Sequence, residues 1–203
     1  MPFKKLIEPL NDTLKHLEFS EPLPLQKQII STIKSGSSLI VIAPDNSGKT
    51  TSLVISVIQK LKSAFEDAPR ALIFVKDKEA ALYLEHLFNT FKKGTDLRVY
   101  SAYDEHHIDT QRDDIYYGVD IVIATPTRSN KLFYLNGINL NELEVCIVED
   151  AQLFFGNNNF NEVSRTPESI GKCQYVVFSN KFDERLKRWQ DTFMYGAKTV
   201  IAK

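Results

Sequence analysis

Three observations predict a doubly wound α/β fold with a mainly parallel sheet for this chain. Apolar runs of strand length alternate with amphipathic segments along all 203 residues. Several of those runs end in polar words, at the carboxyl ends of strands where chemistry collects in such sheets. One run, 38–42, leads through Ala43-Pro44-Asp45-Asn46-Ser47-Gly48-Lys49-Thr50 into a helical pattern, which is the layout of a phosphate-binding loop.

Each element has its own justification. The amino-terminal region 1–35 reads as helical, with its clearest amphipathic stretch at 24–34. Residues 38–42 are apolar almost without interruption, as a strand buried on both faces requires, and 49–62 follows with helical periodicity. The runs 71–75, 97–101, 120–124, 144–148, 173–178 and 199–202 read as further strands. Amphipathic segments at 77–92, 126–135 and 182–195 lie between them as helices. The stretches 136–141 and 156–159 read as exposed loops, and no linker divides the chain, so a single domain over 1–203 is expected.

Composition narrows the class without naming partners. With 43% hydrophobic and 25% charged residues the chain can bury one full core and has no room for two large domains. A formal charge of -1 provides no global basic field, so any nucleic-acid contact must come from a local patch. Cys146 and Cys173 lie in apolar stretches without metal-ligand spacing and read as reduced core residues. With no leader-like or membrane-length apolar run, the cytoplasm is the expected location, with no membrane association.

The loop explains its own residue types. Backbone N–H groups would face a polyphosphate with the positive end of the helix dipole behind them. Lys49 would reach the terminal phosphates and the Thr50 hydroxyl would be a ligand of Mg²⁺; Asp45, Asn46, Ser47, Gly48 and Thr51 complete the candidate cradle. Ala43 stands where the general pattern has its first glycine. A polar strand-to-helix turn with an exposed lysine is the competing reading.

Five polar words together resemble the DEAD-box RNA helicases. Glu18-Phe19-Ser20-Glu21-Pro22-Leu23-Pro24-Leu25-Gln26 resembles their Q motif, and an alanine opening the phosphate loop is a habit of that family. Ala124-Thr125-Pro126-Thr127-Arg128 looks like T-P-G-R, Glu149-Asp150-Ala151-Gln152 falls at D-E-A-D, and Phe178-Ser179-Asn180-Lys181 falls at S-A-T. The resemblance covers essentially the whole chain but only the first of the family's two RecA-like domains. It implies a RecA-like P-loop fold, ATP or ADP with Mg²⁺ as ligands, and single-stranded RNA as a partner. By resemblance Gln26 reads adenine, and Phe3 is the nearest candidate for the ring that stacks on the base, although it also fits a core face with Leu6, Ile7 and Leu10. Glu149 holds the metal, Lys49 and Asp150 are the candidate catalytic residues, and Gln152, Ser179 and Asn180 couple nucleotide to RNA. Lys76, Thr125 and Arg128 are the candidate RNA contacts; Arg128 reads equally as a surface charge at a helix start.

Departures from the family bear on turnover. The acids are swapped to Glu149 then Asp150, so the carboxylate facing the attacking water would be retracted by about 1.5 Å, one methylene. A misplacement of about 1 Å can cost roughly a hundredfold in rate. Asn46 replaces a family glycine, Asp77 stands where the resemblance places an arginine, and the family's glycine pair is absent, since Tyr100-Ser101-Ala102-Tyr103-Asp104 contains no glycine. No second RecA-like domain follows within these residues, so the expectation is a solitary domain or one completed by a partner protein that supplies the second. Adenine-nucleotide binding is therefore expected. If the chain turns over, it is an ATP hydrolase of RNA-helicase type; the alternative is a degenerate nucleotide-binding or RNA/protein interaction module.

Overall fold

A computed structural model describes residues 6–19, 21–156 and 159–202. Seven strands form one sheet: β1 Leu39–Ile42, β2 Ala71–Phe74, β3 Val99–Ala102, β4 Ile121–Ala124, β5 Val145–Val148, β6 Gln174–Ser179 and β7 Lys198–Ile201. Their order across the sheet is β3-β4-β2-β5-β6-β1-β7, and every pairing is parallel. The helices are α1 Glu8–His16, α2 Pro24–Lys34, α3 Lys49–Leu61, α4 Lys78–Phe91, α5 Ile108–Tyr116, α6 Pro126–Tyr134, α7 Asn159–Ser169 and α8 Glu184–Thr192.

Strand alternation divides the interior into two cores. Leu39 and Val41 face the layer of α1 to α4, whereas Ile40 and Ile42 face the layer of α5 to α8. The same division runs through Ile73 against Phe74 and Ile147 against Val148. This is why the central strands β1, β2, β4 and β5 are apolar throughout: both faces of the sheet are covered there.

At the amino end of β4, Asp120 is fully buried. Burial disfavours its charge, yet donors outweigh that cost and hold its carboxyl below the usual carboxylate range. Arg70 Nη2 donates at 2.8 Å, Arg98 Nε at 3.0 Å, the Phe65 backbone N–H at 3.1 Å and that of Arg98 at 3.0 Å. One carboxylate thus fastens the connections that precede β2, β3 and β4.

Several sequence expectations are corrected. α5 and α7 escape the periodic reading because Gln111, Arg112, Asp113 and Asp114 interrupt one and Asn161, Arg165 and Pro167 the other. Residues 136–141 form a loop, but Ile138 and Leu140 are buried in the second core, so it is not simply exposed. Asn159 opens α7 rather than ending a loop. Cys146 and Cys173 are free thiols, and burial pushes both upward in pKa; Cys146 is a core residue, whereas Cys173 is only partly buried at the margin of the core.

Candidate functional site

The loop 43–48 leaves β1 and enters α3 through two left-handed residues, Asn46 at φ 60° and Gly48 at φ 85°. Asparagine tolerates this region better than most residues. Gly48 is required twice over: its φ favours glycine, and a Cβ there would lie 2.8 Å from Gln26 Nε2. Gln26 is buried in the first turn of α2, and its Oε1 accepts from the Leu23 backbone N–H at 2.9 Å. The carboxamide therefore sits against the phosphate loop with its nitrogen toward Gly48. Leu23 at the start of this turn stays half exposed beside the loop.

Lys49 begins α3 and is buried, which removes the reading of an exposed lysine on a plain turn. Its Nζ donates to the Ala43 carbonyl at 2.8 Å and lies 3.6 Å from Asp45 Oδ1 and 3.7 Å from Asp150 Oδ1. The Thr50 hydroxyl donates to Glu149 Oε1 at 2.8 Å across the gap between α3 and the end of β5. Burial, with the Asp150 charge adding to it, pushes the Glu149 carboxyl up to about 7, against the opposing pull of Thr50 and Lys49. Asp150 itself is left-handed at φ 48° and starts a short 3₁₀ turn, Ala151–Leu153.

These groups fit a magnesium nucleotide. The half-buried Glu149 carboxylate, its pKa raised chiefly by desolvation, faces a hydroxyl suited to the same cation. The Ser47 hydroxyl is buried without a protein partner inside the loop, and the first amides of α3 have no intrahelical acceptor. Among the described residues no group of three or more His, Cys, Asp or Glu could hold a metal ion. A cavity of about 400 Å³ is lined by Asp45, Asn46, Gly48, Lys49, Thr50 and Thr51, with Tyr83 and Asp150 beside them. A larger one, about 570 Å³, lies between α5 and the 136–139 loop, away from every motif.

Neighbouring strand ends bring the coupling residues together. β5, β6 and β1 are adjacent, so Glu149 just after β5, Ser179 at the end of β6 and Ala43 just after β1 stand at three neighbouring strand ends. The Asn180 backbone N–H donates to Gln152 Oε1 at 3.1 Å, and the Ser179 hydroxyl donates to the Lys181 carbonyl at 2.7 Å. Sequence reading missed Tyr83, which stands exposed on α4 at the cavity mouth; no motif word contains it. Phe3 lies outside the described residues.

Comparison with known proteins agrees with this geometry. The DEAD/DEAH box helicase family model matches residues 23–188. The chain belongs to that family. Among relatives of this DEAD/DEAH box domain, the probable ATP-dependent RNA helicase ddx52 of Dictyostelium discoideum is 28% identical over 95% of this chain and 29% of its own length. The ATP-dependent RNA helicase dbp10 of Schizosaccharomyces pombe is 32% identical over 72% of this chain and 18% of its own length. The chain thus spans less than a third of either protein. A DEAD box protein from Methanococcus jannaschii shares the fold with a TM-score of 0.92 at 19% identity, covering 99% of this chain and 55% of that one.

The other half of the DEAD/DEAH box domain places the remaining site residues. Lys76 is exposed after β2 and lies 3.2 Å from Asp77, whose carboxylate accepts from the Ala80 N–H at 2.9 Å and so caps α4. Thr125 precedes α6, and Arg128 is its third residue; both are buried, so Arg128 is no free surface charge. Asp104 Oδ2 accepts from the Thr125 hydroxyl at 2.9 Å, and Arg128 Nη2 donates to the Asp104 carbonyl. Among the described residues no helix is long and apolar enough to cross a membrane.

Proposed function

We propose that this chain is an adenine-nucleotide-binding RecA-like domain of DEAD-box type whose ATP hydrolysis is weak or depends on a partner domain. The meeting of Thr50 with Glu149 beside buried Lys49 carries the reading, since two distant segments converge on one metal-phosphate position. Gln26, held against Gly48, would recognise adenine with its amide donor and with the second lone pair of Oε1. Lys49 would exchange the Ala43 carbonyl for a terminal phosphate oxygen, a stronger charge-assisted contact. Magnesium, when bound with nucleotide, would supply neutralisation of phosphate charge near Thr50 and Glu149.

Hydrolysis is the weaker half of the proposal. Asp150 would orient water but carries the shorter side chain, and its carboxylate leans toward Lys49. The arginines that a second RecA-like domain would contribute are worth about 10³ to 10⁵ in rate in phosphoryl transfer. A second reading, a nucleotide holder without useful turnover, is favoured by that same Asp150 position. Single-stranded RNA is the proposed polymer partner through Lys76, Thr125 and Arg128, and a protein supplying a second RecA-like domain is the other.

Calorimetric titration with ADP, ATP and GDP in the presence of Mg²⁺ tests the reading. ADP and ATP should bind and GDP should bind more weakly, and Gln26→Ala should remove the difference. Lys49→Ala should weaken ATP by roughly tenfold to a hundredfold, the scale of one hydrogen bond to a charged group. Equal binding of GDP and ADP to the intact chain would defeat the role given to Gln26.

A further inference from the structure

Asp104 stands on the loop after β3, beside the first turn of α6. Besides accepting from Thr125, its carboxylate lies 3.7 Å from Arg128 Nε and 3.9 Å from Lys131 Nζ. A hydroxyl, a guanidinium and an ammonium therefore converge on one pair of oxygens. That donor set is the one used to hold a phosphate. Arg128 is nineteen-twentieths buried, with 5% exposed, and its Nε has no hydrogen-bond partner, so the group has donor capacity that the carboxylate leaves unused.

The backbone beneath Asp104 is pinned. Fully buried Gln111 donates from Nε2 to the Tyr103 carbonyl at 3.1 Å, and Lys78 Nζ lies 5.3 Å over the Tyr103 ring. The Asp104 side chain itself is 40% exposed, so it can rotate outward while its backbone stays in place. A phosphate reaching the same three donors would stand within a few ångströms of the carboxylate, where like charges repel.

We propose that Asp104 is an internal anion occupying a phosphodiester subsite formed by Thr125, Arg128 and Lys131. A backbone phosphate of single-stranded RNA enters this subsite only by displacing the carboxylate. The identity of that ligand rests on the RNA part of the reading above; the occupied anion site does not. Asp104 thereby determines specificity: it lowers affinity for any polyanion that lacks further contacts strong enough to turn it out.

The 203-residue chain with Asp104→Asn or Asp104→Ser tests this, with circular dichroism to confirm folding. Asn keeps an acceptor for Thr125 without the charge, and Ser removes the carboxylate altogether. Two probes are used: inorganic phosphate, read as a rise in melting temperature, and a fluorescent oligouridylate, read by anisotropy between about 50 and 200 mM salt. Both variants should gain phosphate protection and bind the oligonucleotide roughly fivefold tighter, the scale of one exposed ion pair. The salt slope should steepen by about 0.7 for one more neutralised phosphate. Adding Arg128→Gln should cancel these gains. A gain for phosphate but not for the oligonucleotide upholds the occupied subsite and removes RNA as its ligand. No gain for either probe, or a gain that survives Arg128→Gln, overturns the proposal even if the parent chain binds RNA.

Discussion

The carboxyl edge of the sheet has two halves that handle charge in opposite ways. At β5, β6 and β1, Glu149 is a half-buried acid whose desolvation outweighs its positive partners, and the Ser47 hydroxyl has no protein partner. At β3, β4 and β2, Asp104 takes up Thr125, Arg128 and Lys131, while Asp77 pairs with Lys76 and caps α4. The first half is incomplete until an anion with its cation arrives; the second is nearly complete without one. A fold that leaves polar capacity open in one place and closes it in another sets which ligand it will take readily. Lys49 qualifies the contrast, since it is held inside, but its two acids lie at 3.6 and 3.7 Å, beyond hydrogen-bond length.

The most forceful way to break the comparison is Asp120→Ala. It removes the anchor of the β2, β3 and β4 connections and leaves Arg70, itself largely buried, without its carboxylate. Breaking a buried ion pair by removing one partner costs about 3 kcal/mol or more. Denaturant unfolding should show that loss. Asp120 lies at the amino ends of the strands, away from the phosphate loop, so ADP affinity of the folded variant should hold. A parallel fall in ADP affinity would mean that the halves are not independent.

Smaller in size, a pH series sharpens the first half. The folded Glu149 carboxyl titrates at about 7, above its ordinary value of 4.5. The folded state therefore holds its proton more tightly than the unfolded chain. Without ligand, the stability this contributes is full below about 4.5 and is lost as pH rises through about 7. Binding of magnesium with nucleotide needs the ionised form, so it should strengthen over the same window. Calorimetry of Mg-ADP at pH 6 and 8 checks the sign; stronger binding at pH 6 would remove Glu149 from the metal position.

Legibility followed the same division. The central strands β1, β2, β4 and β5 were readable because both faces are covered and their residues are apolar throughout. The candidate nucleotide site, proposed from fixed words that run from Gln26 through Thr50 to Glu149, was legible as words because each is short and contiguous in the chain. Helices α5 and α7 were not readable, since the polar Gln111 breaks the apolar period of one and Pro167, a helix breaker, lies inside the other. The closure of the second half was also hidden. Asp104 appeared in the sequence only as the last residue of a glycine-free stretch, and nothing local says that its carboxylate meets Thr125, twenty-one positions later, and Arg128. Tyr83 likewise needed the packing of α4 beside α3 to appear at the cavity. Long-range charge pairing is a property of topology, and no spacing rule encodes it.

The smallest expected effect concerns the order of the two acids. If Glu149 holds the metal and Asp150 is a base set too far back, Glu149→Asp together with Asp150→Glu should raise any basal phosphate release, by a few-fold at most. The longer glutamate would extend from a left-handed residue whose carboxylate now leans toward Lys49, so part of its reach would be spent on that contact. Either change alone would misplace the metal or the water. Nucleotide affinity should stay nearly constant, because the phosphate loop is untouched, and the gain is capped by the arginines this domain does not contain in the proposed role. Phosphate release by the parent and the double variant, with and without single-stranded RNA, measures it. A double variant slower than its parent would mean that this site works with its own acid order, and that the open half of the sheet edge is adapted as it stands.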